Sequence, residues 1–159
     1  RLGRAKDGVK ILVEQDLGLA DTVSTAYGRK ISKSLRFVEN NRDNEEYIYD
    51  NGIGVIDAED NIEDDFIGTV ATISMSNGFF DSPVVMGVAN AEKEKSKVSS
   101  RASKELVEKG LNLGEIIGEI CEELDGEGGG HNVAAGAKIP RENKDEFIEM
   151  LEEKISQEA

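Results

Sequence analysis

Tryptophan is absent, and five phenylalanines and three tyrosines are all the aromatic side chains in 159 residues. Aliphatic side chains must therefore build the core of one domain, a length that also leaves room for a helical appendage. A single cysteine, Cys121, excludes an intrachain disulfide and a multi-cysteine metal site. With one histidine, His131, beside it, the inventory for metal or nucleophilic catalysis is poor. No apolar run approaches the ~18 residues of a membrane span. The N-terminus does not read as a signal peptide, so a soluble, cytoplasmic protein without a membrane partner is expected. Bases are also scarce, 19 against 33 acids, for a net charge of −14. Such a surface repels polyanions at long range, so any nucleic-acid contact must come from a local basic patch. An acidic surface is equally the composition of a salt-tolerant cytosol. No internal repeat is present. Carboxylates are plentiful, but no spacing singles out a pair, and binding is a better expectation than catalysis.

Two textures divide the chain. Residues 1–46 carry helical patterning, with Val9, Leu12 and Val13 on one short face. Val23, Tyr27, Ile31, Leu35 and Val38 then recur at helical steps after Asp21, a predicted N-cap. The polar run ENNRDNEE ends this segment. From 47 to 159 strands and helices mix. YIYDNGIGVIDA reads as a strand pair or one bent strand, with Asn51-Gly52 as the turn. Ile62–Met75 has a helical face of Phe66, Ile67, Val70 and Ile73. VVMGVANAE and KVSSRAS read as strands joined at EKEK. Asn112–Leu124 is the clearest helix, with Asn112 and Glu115 resembling a capping box. AAGAKI reads as a strand, and Pro140 opens a last helix. The order predicts an α+β fold, a mixed β-sheet covered by helices, preceded by an N-terminal helical segment.

Three stretches invite a chemical reading. GEGGGHNVAAG packs six glycines and the histidine into residues 126–136. Glycine admits positive φ and close approach of a ligand to the backbone, and successive N–H groups can form an anion-binding nest. A slack helix-to-strand connection explains the same composition. KEKSKVSSRASK, residues 93–104, gathers five bases and four serines. A guanidinium fork and hydroxyls suit phosphate, whereas a lysine-protected edge strand needs no ligand. On a strand, Ser99, Arg101 and Ser103 share a face and Ser100 lies opposite. These two places reinforce each other only if the fold joins them. The acidic run DAEDNIEDD lacks calcium-loop spacing and reads as a solvated loop and helix start. Gly114 and Gly118 within the clear helix predict close packing against a neighbour, and Cys121 lies on its apolar stripe.

Taken together, VSSRAS, LNLGEIIGEICEEL and GEGGGHNVAAGAKIP resemble the C-terminal, DHH-associated substrate-binding domain of DHH-family phosphoesterases. The match covers roughly residues 84–155. RLGRA and the long helix after it resemble the exit from the catalytic domain in archaeal RecJ-like single-strand exonucleases. The resemblance implies a helical connector over 1–46 and the substrate-binding domain over 47–159, following an N-terminal catalytic domain outside this chain. That domain would hold two divalent metals, manganese or magnesium, and activate water on them. This chain would need no cofactor of its own and by itself would be inactive. Gly128, Gly129, Gly130 and His131 would contact substrate phosphate, with His131 as an auxiliary donor to developing charge. Ser99 and Arg101 would bind a phosphate or nucleotide end, with Ala135 and Gly136 keeping the exit of the glycine motif small. The implied partners are single-stranded DNA or RNA, short oligonucleotides, the chain's own catalytic domain, and replication or repair proteins. Two alternatives stay open: a small-substrate member acting on dinucleotides or nucleotide phosphates, and a protein-interaction module.

Overall fold

A computed structural model describes residues 17–158, with side chains over 22–157. The predicted face of Val9, Leu12 and Val13, like RLGRA, lies outside the described residues. Helix α1 (Leu17–Asn40) begins before Asp21. Asp21 is therefore inside the helix and does not cap it, contrary to expectation. The predicted face of α1 does pack inward. Val38 is buried, and Tyr27, Ile31 and Leu35 are half-buried against Phe66, Ile67 and Val70.

Strands β1 (Ile48–Asp50) and β2 (Gly54–Asp57) pair antiparallel around Asn51-Gly52. Gly52 has φ +89°, which a side chain would strain. Helix α2 (Asp64–Ser76) then crosses over to β3 (Val84–Ala91), which runs parallel to β2. Asp64 and Asp65 stand in the first turn of α2, where carboxylates complement the helix dipole. A turn with positive φ at Lys93 and Glu94 returns the chain as β4 (Lys95–Ala102). Two successive positive φ values match the twist of a hairpin.

Short helix α3 (Lys104–Glu108) was not anticipated. Ser103 leaves the strand and its Oγ accepts from Leu106 N, capping α3. Helix α4 (Leu113–Glu123) starts at Asn112, whose Oδ1 accepts from Gly114 N and Glu115 N. Strands β5 (Glu127–His131) and β6 (Ala134–Pro140) form a second hairpin. A single turn of 3-10 helix at Arg141–Asn143 leads into α5 (Lys144–Glu158).

The sheet is mixed, in the order β1-β2-β3-β4-β6-β5, with helices on both faces. It is the expected α+β architecture. Alternation assigns the faces: Val55 and Ile56 of β2 enter opposite cores. One core joins Met86, Val88 and Val98 to α4 and α5 through Ile117, Ile120, Phe147 and Leu151. The other joins Ile56 and Ala89 to α1 and α2. Each fully buried large aliphatic or aromatic side chain contributes roughly 1.5–3 kcal/mol. The acidic run is not wholly solvated. Asp57 is buried and pairs with Lys144 at the start of α5, tying that helix to the sheet.

Candidate functional site

The two motif stretches meet on one sheet. Antiparallel registers line up Ser99, Gly136 and Gly129 across β4, β6 and β5. The same ladder aligns Arg101, Ala134 and His131, and also Lys97, Lys138 and Glu127. Helix α2 packs over β3 and β4. Beside its flank, the outer hairpin floors a shallow cavity of about 410 Å³. Lys97, Ser99, Arg101, Glu127, Gly129 and Lys138 border this shelf, with Ala135 and Gly136 in its floor.

Arg101 is held before any ligand arrives. Its Nη1 donates to Ser100 O at 2.8 Å and to Ser99 Oγ at 3.2 Å. Nε donates to Thr72 Oγ1 at 2.9 Å, and Nη2 reaches Gly68 O at 3.4 Å. Gly68 permits this approach, because a Cβ there would stand 2.7 Å from Ser99 Oγ. The guanidinium thus ties β4 to α2 and fixes its own plane at the shelf wall. Lys97 Nζ lies 3.6 Å from Asp65 Oδ1, and Lys138 is exposed. Three cations against Glu127 and Asp65 give this patch a sign opposite to the whole chain.

The glycines are neither a nest nor a slack loop. Residues 127–131 form the edge strand of the sheet, with φ +145° at Gly129 and +150° at Gly130. Only glycine holds such a conformation readily. The strand keeps its place through close backbone contacts. A Cβ on Gly114 would meet Gly130 O at 2.5 Å, and Leu113 N donates to Asn132 O at 3.3 Å. A Cβ on Gly128 would meet Cys121 Sγ at 2.5 Å, so that glycine serves packing against α4. At Gly136 an added Cβ would meet Val98 O at 2.9 Å, and other atoms only from 4.0 Å. The floor is bare and open above.

Of the expected site residues, Ser99, Arg101, Gly129, Ala135 and Gly136 line the shelf. Gly128 and Gly130 shape the strand beneath it. His131 ends β5, exposed, outside the cavity lining. Two strand spacings, about 10 Å, separate its backbone from that of Arg101. Ser103 caps α3, and Ser100 is buried on the opposite face. Lys138 and Glu127 were missed by motif reading, because only the strand register brings them beside Lys97. Among the described residues, no three His, Cys, Asp or Glu side chains converge as metal ligands. Nor is any described helix long and apolar enough to cross a membrane. Cys121 is core, and burial pushes its thiol pKa up.

The family model of the DHHA1 domain matches residues 50–157. The chain belongs to that family. It is a DHH-associated domain of the DHH phosphoesterase kind, as its motifs indicated. An uncharacterized protein of Methanocaldococcus jannaschii is 27% identical over 153 residues. That alignment covers 95% of this chain and 31% of the relative, so the domain spans about a third of the relative's length. RecJ from Thermus thermophilus in complex with Mn2+ superposes with a TM-score of 0.72 at 18% identity, over 98% of this chain and 22% of that one. The C-Ala domain of Aquifex aeolicus alanyl-tRNA synthetase gives a TM-score of 0.50 at 25% identity, over 65% of this chain and 88% of that one.

Proposed function

We propose that this DHHA1 domain holds the phosphate of a single-stranded nucleic acid on the β4–β6–β5 shelf. The observation that carries the reading is the shared register of Ser99, Gly136 and Gly129 beside Arg101. It sets a fixed guanidinium and a hydroxyl against a floor without side chains. A phosphate can approach such a floor closely, with Lys97 and Lys138 supplying further positive charge. His131, at the exposed end of the glycine strand, donates to the same phosphate from the far side of the shelf. In the parent protein, a RecJ-like exonuclease in this reading, divalent manganese or magnesium in a preceding catalytic domain would activate the attacking water. The residues described here bind and orient the phosphate, and the RecJ likeness and the motif order support this division of labour.

The test is binding of fluorescent oligonucleotides to the chain at fixed salt. His131→Ala and Lys138→Ala are each expected to weaken binding several-fold to ~100-fold, the range of a charge-assisted hydrogen bond. Both side chains are exposed, so folding is expected to be unchanged. Arg101→Ala is a less clean probe, since its side chain also ties β4 to α2. Parent-like binding by both the His131 and Lys138 variants would refute the site. Affinity that does not grow from a dinucleotide to a decanucleotide would assign the shelf to a small substrate. Tight binding of a replication or repair protein with no oligonucleotide affinity would make the domain an interaction module.

A further inference from the structure

Helix α1 departs from the charge balance of the chain. Between residues 22 and 38 it carries Arg29, Lys30, Lys33 and Arg36 and no acid, in a chain of net charge −14. Lys30 turns aside to pair with Glu63. Arg29, Lys33 and Arg36 are exposed, and their spacing of i, i+4 and i+7 puts them on one face. Arg36 borders a groove of about 550 Å³ between α1 and α2, lined by Leu35, Ile73 and Asn77. Phe79 also lines the groove, and Arg42 stacks on its ring at 4.7 Å from the centroid. Glu39 is the one acid in the described lining.

This groove and the shelf lie on opposite flanks of α2. Ile73 and Asn77 face the groove, whereas Gly68 O and Thr72 Oγ1 hold Arg101 on the shelf side. The ridge between them exposes Thr72 and Ser76, whose hydroxyls bond back to Gly68 O and Thr72 O. It is small and uncharged, and a helix is only about 10–12 Å across. A polyanion leaving the shelf meets no carboxylate on that ridge and reaches a row of cations beyond it.

We infer that the basic face of α1 is a second contact for a single-stranded nucleic acid. The strand whose phosphate occupies the shelf crosses the Thr72–Ser76 ridge and lays its following phosphates along Arg29, Lys33, Arg36 and Arg42. The inference rests on the proposed shelf function and adds a path for the rest of the strand. Charge complementarity identifies the occupant, since Lys and Arg at phosphates release counterions and bind without sequence preference.

The decisive comparison is Lys33→Ala/Arg36→Ala against the parent chain, titrated with a dinucleotide and a decanucleotide over a salt series. Alanine at these exposed helical positions favours the helix. Decanucleotide affinity is expected to fall, and the slope of log affinity on log salt to shrink by about 1.4, roughly 0.7 for each phosphate released. Dinucleotide affinity is expected to stay unchanged. Lys109→Ala/Lys154→Ala, which removes the same charge elsewhere, is expected to leave both affinities unchanged. Parent-like decanucleotide affinity and slope in the double variant would overturn the inference while leaving the shelf intact. So would an equal loss for both ligands, or an equal loss in the control. Polyglutamate binding the parent as tightly as the decanucleotide, and lost in the double variant, would give the face to an acidic protein instead. Parent-like binding of both ligands by His131→Ala and Lys138→Ala would refute the shelf itself, and the path with it.

Discussion

Gly114→Ala tests how the glycine strand is held. Alanine in a helix is worth up to about 1 kcal/mol over glycine, and at Gly118 nothing lies within 4 Å to oppose it. Gly118→Ala should therefore be neutral or stabilising by that amount. At position 114 the new Cβ would stand 2.5 Å from Gly130 O and 2.8 Å from Gly130 C. An ordinary carbon–oxygen contact is about 3.3–3.6 Å, so the β5 backbone or the start of α4 must give way by nearly 1 Å. Overpacking of this kind costs about 1–3 kcal/mol. The two alanine variants should thus differ by roughly that amount, which for a chain of this size is about 2–12 °C in Tm. Urea titrations followed by circular dichroism read the difference directly. Oligonucleotide affinity provides the second readout, because a displaced Gly130 also moves Gly129 and His131. Equal stability of the two variants, with unchanged oligonucleotide binding, would refute the claim that Gly114 seats the glycine strand.

Alkaline pH should unfold the domain through Tyr49 and Lys144. Burial, then the charges of Glu152, Asp57, Asp145 and Glu149, raise the Tyr49 pKa. For Lys144 burial opposes the charged form, but the Asp57 hydrogen bond and neighbouring carboxylates prevail and raise its pKa. In both cases the folded state keeps its proton to higher pH than the unfolded chain. Stability from these groups is therefore present below about pH 10 and falls above it. Tyr49→Phe should shift the alkaline limb of a pH–stability curve upward, and an unmoved limb would contradict the assignment. Lys144→Met strands the buried Asp57 carboxylate and should cost about 3 kcal/mol in urea unfolding, the low end for a broken buried pair, since Lys144 is 19% exposed. Cys121, buried and with a raised thiol pKa, should react with iodoacetamide only as fast as the domain opens. Rapid labelling of the native chain would place it outside the core.

Periodicity carried the sheet's centre and the helices because burial there has a simple repeat. In β4, Ser96, Val98, Ser100 and Ala102 are buried while the odd positions are not, and the alternation is visible in KVSSRA before any coordinates. Asn112 likewise announces α4, since its side chain answers two backbone donors that nothing else would satisfy. The glycine run is different. Its strand has no β-forming side chain, and conformations near φ +150° carry no compositional signature that separates strand from loop. What makes it a strand is external: the β6 ladder on one side and the bare backbone of Gly114 below. The site divides along the same line. Ser99 and Arg101 were legible as chemistry, and alternation put them on one face. Lys138 joins them only through the register of β6, and the commitment of Arg101 to Thr72 and Gly68 depends on where α2 crosses. That commitment also changes how the motif is read. A serine-arginine strand suggests a free cation reaching for phosphate, but here the arginine is already a strut between strand and helix. Its contribution to binding then comes from a fixed position, and the mobile share of recognition falls to Lys138 and His131.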